Sequence, residues 1–204
     1  MQQKLKLFVL LVLCFTTWLG PAQSSDSASG QILGGSLNSP IKLEVFSDFQ
    51  CPACRDLFLG TIRQVLKEYS SKDKVCVIYY EFPLTMHKYS RSAALYVEAA
   101  SRMGKQKVLS IMEALYIDQA KWSQDGNIEA SISKVLAPDD LKKLKMILQD
   151  TSISAEVEKD RQLGVMKKID STPTIFISQP GKQQKVEGRI DYPVMKQFID
   201  SIVK

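Results

Sequence analysis

Cysteine is scarce in this sequence. Four occur in 204 residues, Cys14, Cys51, Cys54 and Cys76, and Cys14 lies in a leader-like segment. A disulfide scaffold shows an even and dense set, so three cysteines in the rest of the chain point to chemistry rather than stapling. Clustered positive charge is also missing. The formal net charge is +5, and the tightest group, Lys142, Lys143 and Lys145 in PDDLKKLKMILQD, reads as the solvated face of a helix. Nucleic-acid binding shows clustered Lys and Arg, so no nucleic-acid partner is expected. Long apolar runs are absent too. The run from Leu7 to Phe15 is short against the roughly 20 residues that a transmembrane helix needs.

That run follows Lys4 and Lys6 and leads into GPAQSS. A charged start, a short apolar stretch and a small-residue exit describe a secretory signal peptide over residues 1–24. If retained, the same segment is a membrane anchor. Leu13 precedes Cys14 where a lipoprotein site wants a small residue, which sets lipidation aside. Cleavage leaves residues 25–204 with a net charge two units lower. Export places the chain in an oxidising compartment, where disulfides persist, so a periplasmic or otherwise extracytoplasmic location is expected. The remaining length suits one full core with room for an insertion.

Residues 25–40, rich in Ser and Gly, read as a flexible lead-in. IKLEVFS (41–47) alternates apolar and polar residues as a strand does. From Pro52 to Tyr69 the apolar residues Leu57, Phe58, Ile62, Val65, Leu66 and Tyr69 recur at helical spacing. KVCVIYYEFP (74–83), β-branched and aromatic, reads as a second strand. No strand signal follows until PTIFIS (173–178). The sequence between about 84 and 172 is a succession of helical patterns, with Met103, Met112 and Met146 at core-like positions. GKQQKVEG (181–188) supplies a turn and a further strand. DYPVMKQFIDSIVK closes as an amphipathic helix with Asp191 as N-cap and Val194, Phe198, Ile202 and Val203 inward; Met195 also fits the core. The order gives an α/β fold: a βαβ unit, whose parallel pairing needs a crossover, then a helical block, then a ββα unit.

The chemistry sits in FQCPACRD (49–56). With Cys51 as N-cap, Pro52 occupies the first helical position, where its fixed φ suits the helix and its missing N–H costs nothing. The amides of Ala53 and Cys54 then point back toward the Cys51 sulfur. Helix N-termini stabilise anions, and a thiolate is an anion. A free cysteine, with a pKa of about 8.5, is only about 3% thiolate at neutral pH. The dipole gives up to ~2 kcal/mol, against ~1.4 kcal/mol per pKa unit. A strongly acidic thiol therefore needs direct hydrogen bonds as well. Cys54 lies one turn along the same face, within disulfide reach.

VFSDFQCPACRDLF (45–58) together with GVMKKIDSTPTIFI (164–177) resembles the DsbA-like branch of the thioredoxin superfamily, over about residues 38–204. The resemblance implies a thioredoxin fold, a mixed central sheet flanked by helices, from residues 41–84 and 170–204, with an inserted helical domain at 85–169. It implies Cys51 as exposed nucleophile, Cys54 as buried resolving thiol, and a cis bond between Thr172 and Pro173. Pro52, Ala53, Thr172 and Pro173 would meet the substrate, with the Thr172 backbone pairing to an extended peptide. The implied reaction is dithiol oxidation of reduced or unfolded exported proteins through a mixed disulfide. A membrane quinone-linked partner, DsbB-like or vitamin K epoxide reductase-like, would reoxidise the enzyme. No cofactor beyond the Cys51–Cys54 disulfide is implied. No segment reads as a dimerisation domain, so a monomer is expected and an isomerase is disfavoured.

Two departures bear on tuning. Ala53 stands where the strongest oxidants of the family carry His, and Val45 where many relatives place a buried Glu. Glu44 and Asp48 are the neighbouring acids that could substitute as a proton relay, although strand alternation turns Glu44 away. Arg55 is a candidate for thiolate stabilisation. His87, the single histidine, either caps a helix near Ser90 or lies near the site. Cys76 reads as a small buried hydrophobe. Three other readings compete with the oxidase. A reductase shares the motif. A metal module would use Cys51, Cys54, Cys76 and His87, but their spacing fits no compact zinc pattern. A non-catalytic thioredoxin-like adaptor is the third.

Overall fold

A computed structural model describes residues 30–203; the leader read at 1–24 lies outside them. Five strands form one sheet: β1 (Gln31–Gly34), β2 (Ile41–Ser47), β3 (Val75–Glu81), β4 (Thr174–Gln179) and β5 (Lys182–Glu187). Their order is β1-β3-β2-β4-β5. β2 and β3 run parallel in the centre, and the other pairs are antiparallel. A central parallel pair is covered on both faces and so needs apolar residues on both. All seven residues of β3 are buried accordingly.

β2 sends Ile41, Leu43 and Val45 into the larger core, with Val75, Val77 and Tyr79 of β3 beside them. Phe46 faces the other way, into a second cluster with Cys76, Ile78, Tyr80, Phe82, Ile169 and Phe176. There the Phe46 and Tyr80 rings stack at 4.5 Å. The crossover from β2 to β3 is one helical stretch: α1 (Pro52–Leu57), a π-helical turn (Phe58–Ile62) and α2 (Arg63–Glu68).

Between β3 and β4 the chain is helical: α3 (Ser90–Ser101), α4 (Lys105–Ile117), α5 (Gln119–Asp125), α6 (Ile128–Ile132), α7 (Pro138–Ile147) and α8 (Thr151–Met166). α9 (Tyr192–Ile202) closes the chain and packs on the crossover.

Three expectations need correction. The segment read as a flexible lead-in contains β1, in which Leu33 is 2% exposed and which pairs with β3. Four residues set among Ser and Gly are too few to display alternation. Gly35 then turns the chain with φ +71, where an added Cβ would lie 2.1 Å from the Val75 carbonyl oxygen, so glycine is required. At α9 Met195 and Ile199 are buried and Phe198, Ile202 and Val203 pack partly buried against the core as expected, but Val194 is 61% exposed; Asp191 stands at the N-cap but its side chain makes no cap bond. Met112 is fully buried as expected, whereas Met146 lies on the surface.

α8 approaches the second cluster through Gly164, where an added Cβ would meet the Phe82 ring at 2.4 Å. Gly164→Ala is therefore expected to destabilise the protein by about 1–3 kcal/mol, as overpacking does. Gly60, in the π-helical turn with open space around it, gives the opposite expectation. Gly60→Ala should gain about 0.5–1 kcal/mol. Urea denaturation midpoints of the two variants check both signs.

Candidate active site

β2 ends at Ser47, and the next three residues turn the chain into α1. The Asp48 carboxylate fixes this turn. Its Oδ1 accepts from Gln50 N at 2.7 Å, and its Oδ2 accepts from Leu84 N at 2.7 Å and meets His87 Nδ1 at 2.9 Å. Tyr89 N donates to the Gln50 side chain. The Cys51 turn and the loop between β3 and α3 are thus laced together. Cys51 takes the N-cap with extended backbone (φ −74, ψ 120), and Pro52 opens the helix.

This geometry separates the two thiols, both free in this structure. Cys51 is 8% exposed and Cys54 is fully buried. The resemblance implied an exposed nucleophile, but Cys51 is largely buried, with the Thr172–Pro173 loop against its sulfur. The Cys51 thiol donates to Thr172 O at 3.2 Å, and the Thr172–Pro173 peptide bond is cis. Gly188 N donates to Pro173 O at 2.8 Å, tying that loop to the end of β5. Asp48 N donates to Cys54 Sγ at 3.5 Å.

The acidities follow from these contacts. A hydrogen bond from the Cys54 thiol is the largest influence holding Cys51 down, to about 6. Burial opposes it. The amides of Cys54 and Ala53 and the Thr172 side chain add to the lowering. Burial pushes the Cys54 thiol well up, reinforced by its position beside Cys51. At pH 7 Cys51 is then mostly thiolate, against about 3% for an ordinary thiol.

Pro52 is exposed at the helix tip and Ala53 is half-buried beside the sulfurs. Of the proposed tuning residues, Asp48 touches Cys54 through its backbone amide, not its carboxylate. His87 stands one step further out, on Asp48, and does not cap α3. Arg55 is turned to Asp56 at 2.8 Å. Glu44 lies on the far side of the sheet, paired with Lys167 at 3.2 Å. Cys76 is buried in the second cluster. Among the described residues no group of three or more His, Cys, Asp or Glu is arranged to hold a metal ion.

Sequence reasoning missed several residues that complete the site. Gln119 Nε2 donates to Phe49 O at 2.7 Å and Cys51 O at 3.0 Å, and so braces the turn from α5. Tyr116 of α4 bonds Ser47 Oγ at 3.0 Å and Tyr79 OH at 2.7 Å, while its ring packs on Phe49 and Phe58. Nothing local marks Gln119 or Tyr116, because both act on residues 37 to 70 positions away in sequence.

The split between the thiols predicts how the redox potential depends on pH. Below about pH 6, reduction takes up two protons with two electrons. Above it only Cys54 takes a proton, so the potential should fall by ~30 mV per pH unit rather than ~59. Equilibration with a dithiol couple between pH 4.5 and 8 should show the break near pH 6. In Cys54→Ala the largest lowering influence is gone. The 240 nm thiolate absorbance of Cys51 should then titrate at clearly higher pH.

A family model described as Thioredoxin matches residues 27–201. The chain is 26% identical over 196 residues to disulfide bond formation protein D of Bacillus subtilis, covering 89% of this chain and 84% of the relative. Oxidised BdbD from Bacillus subtilis matches in structure with a TM-score of 0.68 at 22% identity, covering 85% of this chain and 92% of that one. DsbA2 of Pseudomonas aeruginosa matches with a TM-score of 0.65 at 22% identity, covering 83% and 92%. With a parallel β2–β3 core, a cysteine pair at the start of α1 and a proline loop beside it, the chain belongs to the thioredoxin family, and its fold is that of the DsbA-like oxidoreductases.

Proposed function

We propose that this protein is a thiol–disulfide oxidoreductase acting as a dithiol oxidase on exported proteins. The observation that carries the proposal is the split between an acidic, marginally accessible Cys51 and a sealed, reluctant Cys54. A stabilised thiolate is a stabilised reduced state, and a stabilised reduced state makes the disulfide an oxidant. About tenfold more thiolate than thiol at pH 7 is worth ~30 mV in that direction. The relatives named for disulfide bond formation support the same direction.

The catalytic cycle uses this chain's residues as follows. A substrate thiolate attacks Cys51 Sγ of the disulfide, and Cys54 leaves. A second substrate thiolate attacks the substrate sulfur of the mixed disulfide. Cys51 then departs as a stabilised thiolate. In the disulfide and mixed-disulfide forms Cys51 Sγ carries no proton to donate, so Thr172 O is open to an extended substrate backbone, a strand-addition contact. Pro52 and Ala53 form the small, uncharged rim of that contact. Reoxidation would come from a membrane quinone-linked partner of the DsbB or vitamin K epoxide reductase type. The Cys51–Cys54 disulfide serves as the sole redox group, the protein works as a monomer, and its location is periplasmic or otherwise extracytoplasmic. No helix among the described residues is long and apolar enough to cross a membrane, so anchoring, where it occurs, falls to the leader.

Equilibration with glutathione tests the direction. The potential is expected nearer about −120 mV, as for a strong oxidant, than about −270 mV, as for a reductant. A value at the lower figure makes this protein a reductase. Cys51→Ser should abolish oxidation of a reduced, unfolded substrate protein; retained oxidation would remove Cys51 from the mechanism.

A further inference from the structure

The peptide plane between Cys51 and Pro52 has one polar handle. Proline has no N–H, so only Cys51 O can hold that plane in place. It accepts the first bond of the crossover helix, from Arg55 N at 3.2 Å, and a carbonyl has a second lone pair to fill. Phe49 O, one plane earlier, lies before the helix begins and receives nothing from it. Phe49 is fully buried and Cys51 nearly so, so a carbonyl left unpaired in this turn is costly.

Both needs are met by one amide from outside the sheet and the crossover. Gln119 opens α5 and is itself buried. Its Nε2 donates to Phe49 O at 2.7 Å and to Cys51 O at 3.0 Å, so both amide hydrogens are spent on this turn. The segment that presents Gln119 is held in turn. Tyr116, three residues earlier, packs its ring on Phe49 at 4.9 Å. Asp118 pairs with Lys134, just past α6. Trp122 Nε1 donates to Leu115 O at 2.7 Å across the elbow between α4 and α5. Supports of this kind keep a side chain in one geometry.

We propose that Gln119 is a positioning residue for the thiol–disulfide reaction: it pins the Cys51–Pro52 peptide plane, keeps the Cys51 sulfur under the first amides of α1, and so makes the inserted helices a determinant of the redox potential. The inference rests on the oxidoreductase reading above.

The route from amide to sulfur is geometric. Cys51 stands at the N-cap with φ −74 and ψ 120. Its ψ sets where the amides of Ala53 and Cys54 lie relative to Sγ, and ψ is fixed once the following plane is fixed. Those amides favour the thiolate. The disulfide bears no charge and gains little from them. A contact changes an equilibrium only through such a difference between its two states. Holding the plane therefore favours the reduced form, and a favoured reduced form makes the disulfide the stronger oxidant. Loss of Gln119 should act in the opposite sense on both quantities.

The test is Gln119→Met in the full chain, which keeps length and volume and removes both donors. The thiolate-to-thiol ratio of Cys51 at pH 7, read from absorbance at 240 nm, should fall about tenfold, the scale of one hydrogen bond to a charged group. The potential against glutathione should fall by ~30 mV, the two-electron equivalent of that change. Gln119→Asn, an amide one methylene too short to span both carbonyls, should move both readings the same way. Thermal melts show which variants fold. A folded variant of either kind with the wild-type titration and potential overturns the proposal, whatever its melting temperature. Unfolding of both variants also overturns it, since Gln119 would then serve the fold alone. A wild type that exchanges with neither glutathione nor dithiothreitol refutes the oxidoreductase reading instead, while the 240 nm titration still reports on Gln119.

Discussion

Two thiols one helical turn apart would share nearly one acidity in water. What separates them here is the end of β2, where the chain must leave a fully covered parallel pair and start a helix within four residues. The first cysteine falls at the helix N-terminus, where amides converge, and the second falls inside the core. Burial raises the second thiol, and the second thiol, kept protonated, donates its hydrogen to the first. The acidity of Cys51 is therefore a consequence of the desolvation of Cys54. A change that let water reach Cys54 would weaken both effects together.

The helices between β3 and β4 take part in this arrangement. Gln119 holds the carbonyls on either side of Gln50, and Tyr116 fills the space under Phe49 and Phe58. Asp160 and Glu98 reach the end of β3 from α8 and α3. The crossover supplies the reacting sulfurs, while the long helical segment supplies the walls that keep Cys54 dry. The loop at Thr172 lies against the Cys51 sulfur from the opposite end of the sequence.

Much of this was legible in the sequence because it is local. The alternation of IKLEVFS, the Pro52 start signal and the apolar spacing from Leu57 to Tyr69 each express a period that neighbouring residues reveal. The pairing of Cys51 with Thr172 was reached through resemblance, since no local rule links residues 121 positions apart. β1 was missed because four residues carry no measurable period. At α9 only Val194 was misplaced, because Val194 and Met195 are both apolar and only packing on the crossover chooses between them. Gln119 and Tyr116 were missed for a common reason: their roles are hydrogen bonds made across the fold.

The absence of an acid at Val45 has a physical consequence. A carboxylate in contact with Cys54 would interact with its thiolate at close range in a dry interior, where a pair of like charges is expensive. With Val45 there, nothing charged touches Cys54 on that side, and β2 keeps its apolar inward face unbroken from Ile41 to Val45. The acid appears instead at Glu81, at the end of the neighbouring strand and behind Tyr79. There the Coulomb penalty falls with distance. Nearer the sulfurs the polar groups are the neutral hydroxyls of Ser47, Tyr116 and Tyr79, joined to one another. The same three side chains fill the core between β3 and α4, so the hydroxyls satisfy one another inside the packing that excludes water.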